Sequence, residues 1–430
     1  DEAWTETAWA KIVADQPGAP PRNPRTLVRG GCQKTFTRDE YTQRLERLQT
    51  NMARHGCDVL LLTSPENITY VTGYRTWYFS SKFRPVICVV PQTGEPALVL
   101  RILERSTVRL TSWTPHVYCW GSASRNLGPL QAADPATATA LAVRELARSA
   151  ATVGIEAGEG ARFNAPLTLL DELRVAMGGI RFIDGTRAIQ DTRMIKTEWE
   201  VSRLRKACRA TEDAIGTAFA RLKPGVTTES DLAGWIAASM TERGVDRISY
   251  LTIISGDAKY STFNAYATGR TIRSGDIVLA DISGHIDGCA SDLTRTAIVG
   301  RPRAEQARMA QAANDSVMRC IEAMRPGVPI SRLSRVAEDT IREAGYGQYL
   351  VHSSGHGIGL DVVEYPMIHH SQETVLEPGM AFAVEQGVYP YRPEDGVEGI
   401  YWCFRTEDVV RVTETGAEFL SGPGPALIEL

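Results

Sequence analysis

The chain has 430 residues, 43% of them hydrophobic and 23% charged, the composition of a globular protein with more than one domain. A formal net charge of −4 gives no electrostatic reason to expect nucleic acid or an anionic membrane as a partner. No apolar run reaches the roughly 18 residues needed to span a bilayer, and the opening DEAWTETAWAKIVADQPG has neither the basic nor the apolar stretch of a secretory leader. Residues 1–36, rich in Pro, Gly and Arg, read as an N-terminal arm. Thr37 and Glu40 then form a T-x-x-E signal that predicts a capped helix to about Gly56, with Leu45, Leu48 and Met52 as its apolar stripe. Strands are predicted over DVLLLT, VICVV and ALVLR, a helix over ATATALAVRELARSA and a strand over VGIEA. The alternation predicts a smaller α/β layer domain over residues 37–188. A long amphipathic helix follows, with Val201, Leu204, Cys208 and Ile215 on one side, and opens a second domain over residues 189–430.

The second domain contains an internal repeat. LKPGVTTESDLAGWIAASMTERG at 222–244 is echoed by MRPGVPISRLSRVAEDTIREAG at 324–345, each a Pro-Gly-Val turn, an amphipathic helix and a Gly. SYLTIISG at 249–256 is echoed by QYLVHSSG at 348–355, and IRSGDIVLAD, ending at Asp281, by LEPGMAFAVE, ending at Glu385. A duplicated half that pairs with its copy brings equivalent strand ends, and so Asp281 and Glu385, into one central site.

Four acids interrupt segments that otherwise read as buried strand. They are Asp281 in IVLADIS, Asp292 in CASDLTRTAIVG, Glu385 in AFAVEQG and Glu407 in FRTEDVVRV. A buried carboxylate needs a partner, because burying it unpaired is costly. Arginine or backbone groups can satisfy such acids singly, but four gathered together call for cations. With His356 of SSGHGIGLDVVEYP they make an oxygen-rich set with one imidazole, suited to one or two divalent ions such as Mn, Fe, Co or Zn. The eight cysteines are scattered without a C-x-x-C pair, which predicts free, mostly buried thiols in a cytoplasmic protein.

The ordered set of Asp281, Asp292 in D-L-T-R-T, H-G-I-G, L-E-P-G-M with E-x-G, and R-T-E-D resembles the pita-bread metallohydrolases. That family includes methionine aminopeptidase, aminopeptidase P, prolidase and creatinase, and the likeness spans about residues 190–420. The stretch FTRDEYTQRLERLQTNMARHGCDVLLLTSPENITYVTGY is similar to the creatinase-type N-terminal domain. The resemblance implies an α/β (α+β) chain whose C-terminal pita-bread fold has a pseudo-twofold axis, in agreement with the repeat. It also implies a dinuclear site in which Asp281 chelates one ion, Asp292 and Glu407 bridge both, and His356 and Glu385 complete the set.

Two positions depart from the family's peptidases, which carry two further histidines near the metals. Here the corresponding residues are Asn264 and Val363. In the peptidases those histidines bind the scissile amide and stabilise the tetrahedral intermediate. Losing one such donor typically costs ~3 kcal/mol, so the departures argue against ordinary peptide hydrolysis. Glu385 is expected to shuttle the proton, assisted by Glu364 or His352. The plainer reading makes Glu364 an ion-pair partner of an arginine and His352 an orienting group. Asn264, Val363 and Arg405 are candidates for substrate contact. In TGYRTWYFSSKFRP, Trp77, Tyr78, Phe79, Lys82 and Arg84 either pack beside a turn or, as in creatinase-like dimers, reach the partner subunit's site to hold a ring or a carboxylate. His369 and His370 read as rim residues, His55 and His116 as surface, and His285 as part of a hairpin turn.

These readings favour a dimetal hydrolase that cleaves a C–N bond in a small, polar, non-peptide compound such as an amide, amidine or cyclic amidine. A short likeness to ectoine hydrolases points the same way. The alternatives are an Xaa-Pro dipeptidase or aminopeptidase P, a metal-dependent lyase similar to dimethylsulfoniopropionate lyases, and a metal-free binding module of the same fold. A homodimer without nucleic-acid or membrane partners is expected.

Overall fold

The computed structural model describes residues 37–122, 128–256, 259–260, 262–390 and 401–430; the expected N-terminal arm lies outside them. Helix α1 spans Arg38–Arg54, and the Thr37 side chain accepts from the Glu40 amide at its start. In the first domain follow β1 (Val59–Leu62), α2 (Pro65–Thr72), β2 (Ile87–Pro91), β3 (Ala97–Arg101), α3 (Arg105–Thr111), β4 (His116–Trp120), α4 (Pro135–Leu146), β5 (Thr152–Ile155), α5 (Leu167–Ala176), β6 (Arg181–Asp184) and α6 (Thr186–Met194). The strands form one sheet in the order β4-β3-β2-β1-β5-β6. It is antiparallel at β1/β2 and β2/β3 and parallel elsewhere. Val59 and Leu61 pack into one core, Leu60 and Leu62 into another. A central strand covered on both faces therefore reads as an unbroken apolar run.

Several of these elements escape sequence patterning. Helix α2 is short, and every residue from Asn67 to Thr72 is buried, so it has no polar face to reveal a helical period. The helix expected over 136–150 stops at Leu146, where Ala147 leaves helical geometry.

The second domain begins with α7 (Glu198–Phe219), whose Thr197–Glu200 capping box fixes its start. Then come α8 (Glu229–Glu242), β7 (Arg247–Ser255), β8 (Ile277–Ile286), β9 (Cys289–Ala290), β10 (Leu293–Ile298), α9 (Ala304–Glu322), α10 (Ile330–Glu343), β11 (Gly355–Gly357), β12 (Glu364–Met367), β13 (Ala381–Val388), β14 (Phe404–Val412), β15 (Ala417–Phe419) and β16 (Ile428–Glu429). Two five-stranded sheets result. One runs β16-β10-β8-β7 with β9 on β8, and the other runs β12-β11-β13-β14-β15.

The repeat is visible in the hydrogen bonding. Gly225 and Gly327, both at positive φ (78° and 86°) in the Pro-Gly-Val turns, donate their amides to Ile272 and Leu376. Ile272 and Leu376 are as far apart in sequence as Asp281 and Glu385. Each half then sends a long central strand, β8 or β13, antiparallel to its neighbour, β10 or β14. In β8, Val278, Ala280 and Ile282 pack with α7 and α8; in β13, Phe382 and Val384 pack with α9 and α10. Asp281 and Glu385 therefore occupy the opposite faces of their strands, away from the helices. His285, expected in a turn, is instead the fully buried penultimate residue of β8, and the turn falls at Asp287–Gly288.

The domains share a core: Leu45, Leu48, Cys289, Leu293 and Ile358 belong to one apolar cluster. Ion pairs reinforce it. Arg193 and Lys196 both reach Glu364, and Arg44 lies against Glu40 (2.8 Å) and Glu200 (3.6 Å).

Candidate metal centre

Asp281 sits in the middle of β8, Asp292 immediately before β10, His356 in β11, Glu385 in β13 and Glu407 in β14. All five line one cavity of about 590 Å³, together with Tyr250, Phe263, Asn264, Tyr266, Val351, His352, Val363, Met367 and Arg405. The antiparallel register sets Glu385 directly opposite Glu407. Donor atoms of Asp292, His356 and Glu407 lie within 4.8 Å of one another. Nε2 of His356 is 3.5 Å from Asp292 Oδ2 and 4.0 Å from Glu407 Oε1. Arg405 joins the remaining two acids, pairing with Asp281 and with Glu385 Oε1 (3.1 Å).

Hydrogen bonds orient these donors. His356 Nδ1 faces the carbonyl of Gly357 at 3.0 Å; it must donate there, which leaves the Nε2 lone pair directed at the acids. The Tyr250 hydroxyl donates to Asp292 Oδ1, and Thr294 Oγ1 donates to Glu407 Oε2 at 2.9 Å. His352 gives its Nδ1 proton to the Ser353 carbonyl (2.7 Å) and accepts from the Tyr389 hydroxyl at Nε2 (2.8 Å), with Glu385 Oε2 3.9 Å away.

Burial, and then the proximity of Asp281, pushes the Asp292 carboxyl well above the usual carboxylate range; burial, and then Asp292, does the same to Glu407. Asp281 is raised by burial, against the pull of Arg405. Glu385 is half-buried; its desolvation is outweighed by Arg405, then His352 and His356, which hold it below the ordinary value. Asp292 and Glu407, whose charge the protein alone does not compensate, make with His356 a candidate site for a divalent cation, and Asp281 stands in the same cavity. Asp281 Oδ1, buried without a hydrogen-bond partner, has the vacant acceptor capacity that a cation takes up.

The other candidate residues fall elsewhere. Glu364 does not join the cluster, because Arg193 and Lys196 (2.8 Å) grip its carboxylate and hold it down to about 2 against burial. A buried carboxylate held so firmly by two cations is unsuited to carrying protons, which corrects the expected catalytic assistance. Glu364 lines a second cavity, of about 620 Å³ between the domains, and Val363 lines both. Arg405 lines the metal cavity and is buried on its acid partners, Asp281 and Glu385. Trp77, Tyr78 and Phe79 form a 3₁₀ turn, with Trp77 stacked on Tyr78 (4.3 Å), Arg84 over Tyr78 (4.4 Å) and Phe79 edge-on to Tyr74 (5.5 Å). Neither these residues nor Lys82 line the metal cavity of their own chain. The same holds for His369 and His370, whose rings lie 3.8 Å apart, and for His55, which pairs with Asp191 at 2.8 Å. Sequence reasoning did not single out Tyr250, Thr294, Tyr389 or the rim residues Tyr266, Val351 and Met367.

Two facing, duplicated sheets with buried carboxylates and an imidazole between them, behind a smaller α/β domain, define a metal-dependent hydrolase of the pita-bread fold. The profile of metallopeptidase family M24 matches residues 202–414, and that of the creatinase/prolidase N-terminal domain matches residues 44–195. The chain is 31% identical over 396 residues to the probable dipeptidase PepE of Mycobacterium tuberculosis, covering 89% of this chain and 95% of the relative. It is 34% identical over 233 residues to an Xaa-Pro dipeptidase of Pyrococcus furiosus, covering 54% of this chain and 64% of the relative. The crystal structure of dipeptidase PepE from Mycobacterium ulcerans superposes with a TM-score of 0.76 at 28% identity, over 93% of this chain and 100% of that one. The prolidase of Pyrococcus horikoshii shares the fold, with a TM-score of 0.72 at 24% identity, over 88% of this chain and 98% of that one. The chain belongs to metallopeptidase family M24. Nothing in these relatives supports the expected non-peptide branch; they favour the peptidase alternative.

Proposed function

We propose that this chain is a dimetal dipeptidase. Asp281, Asp292, His356, Glu385 and Glu407 are its metal ligands, for two ions drawn from Mn, Fe, Co or Zn. The observation that carries the reading is the convergence of these five side chains on one cavity in a chain similar to a dipeptidase over nearly its whole length. When bound, divalent ions supply Lewis acidity and lower the pKa of water. Glu385, held below its ordinary value with Arg405 against it, takes a proton from the water that attacks the amide carbon and returns it to the departing nitrogen as the C–N bond breaks. Asn264 holds the substrate through its side-chain amide, from the wall where the family's peptidases carry histidine. His352 flanks Glu385 at 3.9 Å and carries no proton for it, since both its ring nitrogens are bonded elsewhere.

We also infer a homodimer in which the Trp77–Ser80 turn approaches the partner subunit's cavity. The exposure of Trp77 (73%) and Phe83 (88%) supports this. So does the anchoring of the segment, because Tyr74 and Thr76 both donate to Glu104 at 2.6 Å. Free, buried cysteines at 57, 88, 119, 208, 289, 320 and 403 support a reducing, cytoplasmic setting. No described helix is long and apolar enough to cross a membrane.

The test is a substrate panel of dipeptides with and without C-terminal Pro, small amides and amidines, given to protein loaded with each metal. The proposal expects dipeptide cleavage that a chelator abolishes. Cleavage of amides or amidines alone, or release of an olefinic acid without water uptake, would contradict it.

A further inference from the structure

The sheet of the first domain reverses its winding between β1 and β5. From β1 the chain runs outward through β2, β3 and β4, and β5 and β6 then add on the other side of β1. β1 is parallel to β5, and β5 to β6, so their carboxyl ends open together at a switch point, the crevice where open α/β sheets hold ligands. The second cavity, of about 620 Å³, lies there: Ser64 follows β1, Glu156 follows β5, and Thr186 follows β6 by way of Gly185. The second domain walls the far side with Asp361 and Glu364.

The anion position of this crevice is already filled. Glu156, 1% exposed, accepts from the Thr63 amide and hydroxyl (2.9 Å for the hydroxyl), the Ser64 amide (2.9 Å) and hydroxyl (2.7 Å), and the Asn67 side chain (2.6 Å). A phosphate at the start of α2 would have to displace this carboxylate, so the cavity is not built for one.

The remaining groups suit a zwitterion. Four carboxylates, Glu66, Glu156, Asp361 and Glu364, and two guanidiniums, Arg162 and Arg193, line the cavity. Neutral donors hold Glu156, while Arg193 and Lys196 hold Glu364. Asp361 must share Arg193 (2.9 Å), and Glu66 has Arg247 3.6 Å away, outside the lining. Burial raises the Asp361 carboxyl to about 6 against the pull of Arg193, and Glu66 adds to the rise. These two acids, one from each domain, lack the charge that an ammonium supplies. On the basic side, Arg193 is 7% exposed, and its Nε is buried with no hydrogen-bond partner. Arg162 is exposed and has no ion-pair partner among the described residues. A buried donor without a partner calls for an acceptor, and a carboxylate matches the guanidinium fork. Pro65, Ile189 and Tyr365 add apolar wall.

We infer that the domain junction holds a second ligand site, for a free α-amino acid with an apolar side chain. Its ammonium lies against Glu66 and Asp361, and its carboxylate against Arg162 and Arg193. The site is separate from the metal centre, and Val363, which lines both cavities, is the wall they share. Under the dipeptidase reading such a ligand is the reaction's own product; the site itself does not depend on that reading.

Calorimetry on the full, metal-loaded chain tests it with L-leucine, isoamylamine, which lacks the carboxylate, and 4-methylpentanoate, which lacks the ammonium. Leucine is expected to bind at least about tenfold more tightly than either. Glu66→Gln is expected to weaken leucine at least about tenfold and leave 4-methylpentanoate unchanged. Arg162→Ala should weaken leucine and leave isoamylamine unchanged. Neither residue lines the metal cavity, so leucine held at the metals alone would bind both variants as it binds the wild type. That result, or a half-ligand as tight as leucine, would overturn the inference. Failure to cleave any dipeptide would sink the dipeptidase reading and leave the leucine result standing.

Discussion

Nε2 of His356 lies 3.5 Å from Oδ2 of Asp292, while the opposite ring nitrogen is committed to the Gly357 carbonyl. An imidazole with its lone pair fixed against a buried carboxylate is poised for a shared cation. Asp292→Ala removes the carboxylate that would bridge both ions. It also relieves repulsion around Glu407, so the metal-free fold should keep its stability. Elemental analysis should find bound metal reduced at least about tenfold with an unchanged circular dichroism spectrum. Full metal content would contradict the bridging assignment.

The Tyr250 hydroxyl that donates to Asp292 orients a proposed ligand from the neighbouring segment. Tyr250→Phe keeps the ring and deletes the bond. Metal affinity should fall by roughly 10–100-fold, read by competition with a chromogenic chelator. An unchanged affinity would reduce Tyr250 to packing.

Glu364 holds two buried cations, Arg193 and Lys196. Glu364→Ala leaves both without their shared carboxylate and should destabilise the chain by roughly 3–5 kcal/mol. Urea unfolding measures the loss. Metal content should remain near the wild-type value, because Glu364 does not line the metal cavity.

His285 carries a pH signature. Burial, reinforced by the cation of Arg247, lowers it from 6.5 to about 4, while Ser249 and the Gly288 carbonyl bond its ring and Arg75 stands nearby. Between those values the unfolded chain binds the proton more readily than the folded one. The stabilisation is therefore complete above pH 6.5 and is lost as pH falls towards 4. Relative to His285→Gln, the wild type should lose up to ~3 kcal/mol across that window. Parallel pH profiles of the two proteins would contradict the assignment.

The proposed ligands were legible because an acid inside an apolar strand is an anomaly one sequence can reveal. Asp281 and Glu385 break their strands at equivalent points of a repeat, and both line the same cavity. Glu364 was legible in part: an ion pair with an arginine was the plainer of its two readings, but the partners, Arg193 and Lys196, lie far upstream and sequence alone does not name them. Helix α2, buried all round, leaves no periodic signal. The rim of the metal cavity was hidden for a related reason: Tyr266, Val351 and Met367 are unremarkable residues singly, and only folding gathers them around Val363.

Diffraction from crystals grown with manganese or cobalt, recorded at the metal's absorption edge, tests the central claim most directly. The account predicts two anomalous peaks between β8, β11, β13 and β14, within bonding distance of Asp281, Asp292, His356, Glu385 and Glu407. A cavity without ions under saturating metal, or peaks bound by other side chains, would contradict it.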